Sequence, residues 1–372
     1  MTIRRFELER YFAKHEFSAR HLLSCSDCEP IGMGDLLSMA DEQASQLWQS
    51  LRLGYTESQG HPLLRREISS AYRDIASSEV LIGAPEECIF VAMHSLLRPG
   101  DHVVCTFPGY QSLYEIARSI RCEVSFWEPN ESDGWRFDVD DLESLLRPET
   151  RLVVINFPHN PTGSLTSRSE FETVIRHVRR IGAILLSDEM YRGLEHEPDT
   201  MLPAACELYE RAISLSGLSK AYGLPGLRVG WLATKDAGTL QRIGEMKDYT
   251  TICASAPSEI LAVIAMRNRK AIVSTQLERI RSNLVHLDAF FEEFAECMSW
   301  HRPNAGPIGF ARVLCADDTE LFCDELVQQE GIMLVPGSTF SYGTHHVRLG
   351  FGRSDLPEVL DRFGAYLKRR YQ

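Results

Sequence analysis

A chain of 372 residues with 44% hydrophobic and 24% charged residues is long enough to build more than one core, in ordinary globular proportions. Its formal net charge of −13 at pH 7 argues against nucleic acid or an anionic membrane as partner. No apolar run has the length of a transmembrane helix and segment 1–9 lacks a signal peptide's apolar stretch; ten scattered cysteines, with Cys25 and Cys28 the only C-x-x-C pair, suit free thiols in a reducing cytoplasm.

In chain order, strand-like runs alternate with helical stretches from about residue 60 to 235. This predicts an α/β fold, a mostly parallel central sheet covered by helices. At Leu81-Ile82-Gly83-Ala84-Pro85-Glu86-Glu87 a strand gives way to a helix, with Pro85 comfortable in the first turn. The strand-like His102-Val103-Val104-Cys105 leads to Phe107-Pro108-Gly109-Tyr110, and Leu152-Val153-Val154-Ile155 leads to Asn156-Phe157-Pro158-His159-Asn160-Pro161-Thr162-Gly163. Arg168 to Arg180 has helical spacing. Ala183-Ile184-Leu185-Leu186 returns as a strand and ends in Ser187-Asp188-Glu189-Met190-Tyr191. Next come Ser216-Gly217-Leu218-Ser219-Lys220 and Gly226-Leu227-Arg228-Val229-Gly230-Trp231. A helix around Ser258 to Met266 is apolar enough to be buried, and an amphipathic one from Gln276 to Phe294 is expected to cross between domains. Short strands near 309–314 and 332–335 and a final helix over 356–371 complete the pattern. A large domain is expected over 46–285 and a small α+β domain from 1–45 with 286–372.

Four of these strand ends carry polar groups suited to one cofactor, pyridoxal 5'-phosphate (PLP). Its aldehyde needs a lysine amine, its pyridine nitrogen a carboxylate, its phenolic oxygen hydrogen-bond donors, its ring a flat partner and its phosphate backbone amides with a cation. Lys220, Asp188, Tyr191 with Asn160, Tyr110, and Arg228 with the helix start at Ala84, Pro85 and Glu86 answer those needs in turn. Singly each has a plainer role: a cap for Asp188, a turn for Asn160, packing for the tyrosines. The ordered set reverses those odds.

From about Gly54 to Arg348 the sequence resembles the class I/II aminotransferases, PLP enzymes of fold type I. The resemblance implies Lys220 as the Schiff-base lysine of an internal aldimine and base for a quinonoid, with Asp188 on the pyridine nitrogen. It implies Tyr191 and Asn160 on the phenolic oxygen, Tyr110 on the ring and Arg228 on the phosphate. Arg348, in His346-Val347-Arg348-Leu349-Gly350, matches the arginine that takes the substrate α-carboxylate, a task suited to a bidentate guanidinium. Tyr55, in Leu53-Gly54-Tyr55-Thr56, matches a tyrosine that reaches the neighbouring subunit's phosphate, which implies a homodimer with shared sites. The implied function is action at Cα of a small-molecule amino acid, transamination first, with no metal.

Two departures stand out. Pro85 has no amide hydrogen to offer a phosphate, and Gly217 stands three residues before the lysine, where many relatives place a phosphate-binding serine; Ser216, Ser219 or water is left to replace it. The wording around Lys220, Leu53–Ser58 and Lys247–Ile252 also resembles a capreomycidine-synthase-like subgroup, which implies, as the alternative, elimination and cyclisation of a hydroxylated arginine; a non-catalytic regulatory descendant is the remote reading. A guanidinium needs acidic partners, and the N-terminal segment offers Glu9, Glu16, Asp27 and Glu29. Thr250 and Thr251 are further candidates near the substrate.

Overall fold

The computed structural model describes residues 3–371. Seven strands form the main sheet: β1 (Val80–Gly83), β2 (His102–Thr106), β3 (Glu123–Trp127), β4 (Thr150–Asn156), β5 (Ile184–Asp188), β6 (Ala212–Gly217) and β7 (Gly230–Ala233). Their order is β1-β7-β6-β5-β4-β2-β3, parallel from β6 through β3, with β7 antiparallel to both neighbours. The strands are β-branched and apolar because both faces are covered. Val103 and Cys105 point to one core with the helices Pro85–Leu96 and Ser112–Ser119. Val104 points to another with the helix Arg168–Ile181, the expected period of two.

Local signals set the boundaries of that last helix. Ser167 Oγ accepts from the Glu170 amide while the Glu170 carboxylate accepts from the Ser167 amide; Gly182, at φ 70°, ends the helix. Helix Ala256–Arg267 is buried on every side from Glu259 to Met266. After Asn268 the chain re-enters helix over Arg269–Glu293, longer than the amphipathic pattern predicted. Its Ile272 packs with the main sheet's helices and its Leu284, Leu287 and Phe290 with a second core.

That second core lies under a small antiparallel sheet, β8 (Met298–Ser299), β9 (Ile308–Val313), β10 (Val335–Pro336) and β11 (His346–Gly350), in the order β10-β11-β9-β8. The run 332–335 is not one strand as expected. Met333 donates to the His21 carbonyl, and only Val335–Pro336 pairs with β11. The N-terminal residues join this sheet: the His21 amide donates to Gly331 O and the Gly350 amide to Leu23 O. Helix Glu7–His15 docks through Leu8 beside Phe310, Val335 and Phe340. Parallel strands β4, β5 and β6 therefore aim their carboxyl ends, Asn156, Asp188 and Gly217, at a crevice that the N-terminal residues and β11 close from the other side. Among the described residues no helix is long and apolar enough to cross a membrane.

Candidate active site

The crevice is a cavity of about 360 Å³. Its floor comes from the strand ends. Asp188 closes β5, buried at the cavity floor, and its Oδ1 accepts from the Met190 amide at 3.1 Å. Burial pushes its carboxyl up to about 7, against the pull of that amide and of Lys220. Asn156, closing β4, accepts the Asn160 amide on Oδ1 at 2.8 Å and donates Nδ2 to the Asp188 carbonyl at 3.1 Å. One side chain thus sets Asn160 relative to Asp188. Lys220 follows β6 after the turn Leu218-Ser219, and its Nζ donates to Ser26 Oγ at 2.8 Å.

Arg348, on β11, reaches the floor from above and is 1% exposed. Nη1 donates to Asn160 Oδ1 at 3.1 Å and Nη2 to Ser24 O at 3.0 Å, and the guanidinium carbon lies 5.3 Å from the Phe340 ring centre and 5.9 Å from that of Phe12. Burial lowers its pKa. Three polar atoms here are buried without a partner: Arg348 Nε, Tyr191 Oη and Ser219 Oγ. Such groups are uncommon in folded proteins unless a ligand satisfies them. A PLP molecule with an amino acid fits them: a hydroxyl near Asn160 for a phenolic oxygen, the Asp188 carboxyl for a ring nitrogen, Lys220 for the aldehyde.

The end of the cavity formed by Pro85, Glu86 and Ser219 bears on both sequence departures together. A Cβ on Gly217 would lie 3.0 Å from Gly230 Cα and 3.2 Å from Pro85 Cγ. The backbone leading into β7, with Val229 O at 3.1 Å, and the Pro85 ring together crowd the place that a serine at 217 would need. Pro85 and Glu86 line the cavity, whereas Ala84 sits behind them and donates its amide to Glu87 at 3.3 Å. Of the two candidate replacements, Ser219 lines the cavity and Ser216 pairs with Trp231 inside the sheet. Arg228 stands at the mouth with left-handed φ of 55°, a conformation rare for a residue with a side chain and characteristic of functional turns. Glu86 accepts from Ser112 Oγ at 3.1 Å, and burial pushes its carboxyl up to about 7.

Tyr110 lines the cavity after β2, and its hydroxyl donates to Glu9 at 3.0 Å. Glu9, Glu16 and Asp27 all face the cavity. Burial raises the Glu16 pKa, and the neighbouring Asp27 and Glu9 raise it further. Asp27 pairs with Arg353 at 2.9 Å. Glu29 does not join them, because its carboxylate turns away to accept the Ser354 amide at 2.8 Å. Thr250 and Thr251 also lie elsewhere: their hydroxyls donate to Glu87. Tyr55 is 90% exposed and outside the cavity. Of the C-x-x-C pair, Cys25 lines the cavity and Cys28 packs in the second core. Sequence reasoning missed Ser26, Phe12 and the Ser24 carbonyl. No local pattern marks them, since their partners lie 194 residues away for Ser26 and 324 for Ser24.

Comparison with known proteins agrees with this geometry. The family model for aminotransferase class I and II matches residues 33–363. Capreomycidine synthase from Streptomyces vinaceus is 29% identical over 293 residues, 76% of this chain and 74% of that one. Aspartate aminotransferase from Thermotoga maritima is 28% identical over 339 residues, 88% and 87% of the two chains. Among solved structures, a PLP-dependent aminotransferase from Streptococcus suis superposes with a TM-score of 0.93 at 30% identity, covering 100% of this chain and 99% of that one. The PLP-dependent cyclase OrfR gives 0.90 at 27% identity, with 100% and 98% covered.

Proposed function

The chain belongs to the class I and II aminotransferases, PLP-dependent enzymes of fold type I, and from that premise we propose that it transfers the α-amino group of an amino acid with a cationic side chain. When bound, PLP supplies an electron sink for a bond broken at Cα. The chain's residues do the rest. The Lys220 amine would hold the cofactor's aldehyde carbon, and as a free amine it would take the Cα proton as general base. Asp188 would face the ring nitrogen. Tyr191 and Asn160 would donate to the phenolic oxygen, Tyr110 would cover the ring, and Arg228 with the Glu86 amide and Ser219 would hold the phosphate. Arg348 holds the substrate α-carboxylate, which leaves the substrate side chain to extend toward the N-terminal wall.

The observation that carries the reading is the sharing of one cavity by Lys220, Arg348 and three carboxylates, Glu9, Glu16 and Asp27. Asp27 already has Arg353 as partner, but burial and the neighbouring Asp27 and Glu9 raise the Glu16 pKa, so a substrate cation beside Glu16 and Glu9 stabilises the group. A second copy is part of the proposal. Leu53, Tyr55, Tyr249 and Ile252 are at least half exposed, on two segments tied together where Lys247 Nζ donates to Ser58 O and Ile252 O. An apolar patch of that kind suits a partner, and Tyr55 then reaches the partner's phosphate.

Likeness to capreomycidine synthase and OrfR supports a second reading. In it the same acids hold the guanidinium of a hydroxylated arginine, which loses its hydroxyl and closes a ring. Product analysis on PLP-loaded protein, with and without 2-oxoglutarate or pyruvate, separates the two. Keto acid formed only with an acceptor supports transamination. Loss of water with the α-nitrogen kept, and no need of an acceptor, supports cyclisation and contradicts the first reading.

A further inference from the structure

The segment Ser24–Asp27 touches two groups that the reaction must hold at a fixed separation. The Ser24 carbonyl accepts from Arg348 Nη2 at 3.0 Å, and two residues later the Ser26 hydroxyl accepts from Lys220 Nζ at 2.8 Å. The segment itself is held on both sides. A Cβ on Gly350 would fall 1.8 Å from the Cys25 carbonyl, so β11 admits the segment only because residue 350 is glycine. Further hydrogen bonds tie it down: Gly350 N to Leu23 O at 3.0 Å, Glu29 N to Gly352 O at 3.0 Å and Gln276 Nε2 to Glu29 O at 2.8 Å, besides the Asp27–Arg353 ion pair. A serine on so constrained a backbone is a preorganised partner rather than a surface hydroxyl.

We propose that Ser26 is a positioning residue for the Lys220 amine, holding it over the substrate Cα for proton transfer. The inference rests on the reading of Lys220 as the base at Cα. A neutral amine has two hydrogens and one lone pair. Committing one hydrogen to Ser26 Oγ restricts rotation about the Cε–Nζ bond and narrows the directions open to the lone pair. When that lone pair takes the proton from Cα, the C–H bonding pair stays on carbon and the amine becomes an ammonium. Its bond to Ser26 is then charge-assisted and stronger than before. Ser26 therefore favours the protonated product of the step more than its start, which is the condition for accelerating it. Asp188, Glu16 and Asp27 are the carboxyl groups around the same amine and Arg353 a nearby cation, so a neutral hydroxyl adds direction without altering the charge of the site.

The test uses the PLP-loaded full chain and follows exchange of the Cα proton for solvent deuterium by NMR, with lysine as probe, beside steady-state turnover. Ser26→Ala should slow exchange and kcat together by about 10-fold, the worth of one well-placed hydrogen bond, with KM within about twofold of the parent. Ser26→Thr, which keeps the hydroxyl, should recover most of the loss. The PLP absorbance band should persist in both. Unchanged exchange in Ser26→Ala overturns the inference, as does a loss shared equally by Ser26→Thr or one that appears in KM alone. If Ser26→Ala does not fold, Ser26→Gly takes its place with the same expectations. A parent enzyme that binds PLP but exchanges no Cα proton from any amino acid overturns the reading of Lys220 and this inference with it. Normal parent exchange with an indifferent Ser26 overturns the inference alone.

Discussion

The floor and the wall of the cavity are built in different ways. Floor residues Asn160, Asp188, Tyr191 and Lys220 each stand within four residues of the end of a parallel strand. Their backbones are fixed by the sheet, and Asn156 bridges β4 and β5 by hydrogen bonds. Wall residues Glu9, Glu16 and Asp27 come from an N-terminal helix, its end and an irregular segment pinned to a different sheet, and Ser26 of that segment is the one wall residue that reaches Lys220 on the floor. On the proposed reading, the floor carries what a Cα reaction of PLP needs, and the wall faces the substrate side chain. Chemistry is thus placed on the rigid layer and selection on the layer that the chain can alter without disturbing the sheet.

This contrast can be broken at the floor first. Lys220→Ala should cut turnover by about 10³-fold or more, and borohydride treatment followed by mass spectrometry should find no PLP adduct on the protein. Appreciable turnover without the lysine would remove the floor's central role. Arg348→Lys should raise KM for every amino acid by about 10-fold or more, because a point charge cannot replace two parallel N–H bonds to a carboxylate. A KM that rises for basic substrates alone would mean that Arg348, which reaches the floor from β11, does not hold the α-carboxylate.

At the wall the effect should be smaller and selective. Glu16→Gln should lower kcat/KM for lysine by about 10-fold and leave that for norleucine nearly unchanged, since only the cationic partner loses a charge interaction. The folded pKa of Glu16 is raised, so the preference for lysine should grow as the pH rises and the carboxylate forms. An equal loss on both substrates would make Glu16 structural.

The smallest expected effect is on stability. Burial holds Asp188 at about 7, above its ordinary value of 3.8. The folded chain therefore keeps a proton that the unfolded chain has released. The stability tied to this group is present below the unfolded pKa and is lost as the pH rises through about 7. Asp188→Asn carries no such penalty. The melting temperature of the cofactor-free variant should gain a few degrees on that of the parent between pH 5 and pH 8. A constant difference across that range would mean that Asp188 is already ionised at low pH.

How much of this was legible in the sequence follows the same division. The strand–turn motifs gave away the floor because a polar residue after an apolar run of fixed length has one place to go, the carboxyl end of the sheet. Gly217 and Pro85 read as two separate anomalies along the chain, and only in three dimensions do they meet, the Pro85 ring and the Gly230 backbone both packing against Gly217. The wall was legible as composition alone. Of four candidate acids in the N-terminal segment, three face the cavity; Glu29 was lost to a backbone amide at Ser354, a residue 325 positions away. Ser26 carries no signal in sequence at all, since a serine between cysteine and aspartate has no periodicity and its partner is 194 residues distant. The strand expected over 332–335 shortened because its first residues pair elsewhere: Ile332 bridges to His21 and the Met333 amide donates to the His21 carbonyl.

The most direct test of the account compares substrates that differ in side-chain charge and little else: lysine against norleucine, and arginine against citrulline, with the PLP-loaded protein. The account predicts kcat/KM at least about 10-fold higher for the cationic member of each pair, a difference of roughly 1.4 kcal/mol. Equal values, or a preference for the neutral members, would contradict it.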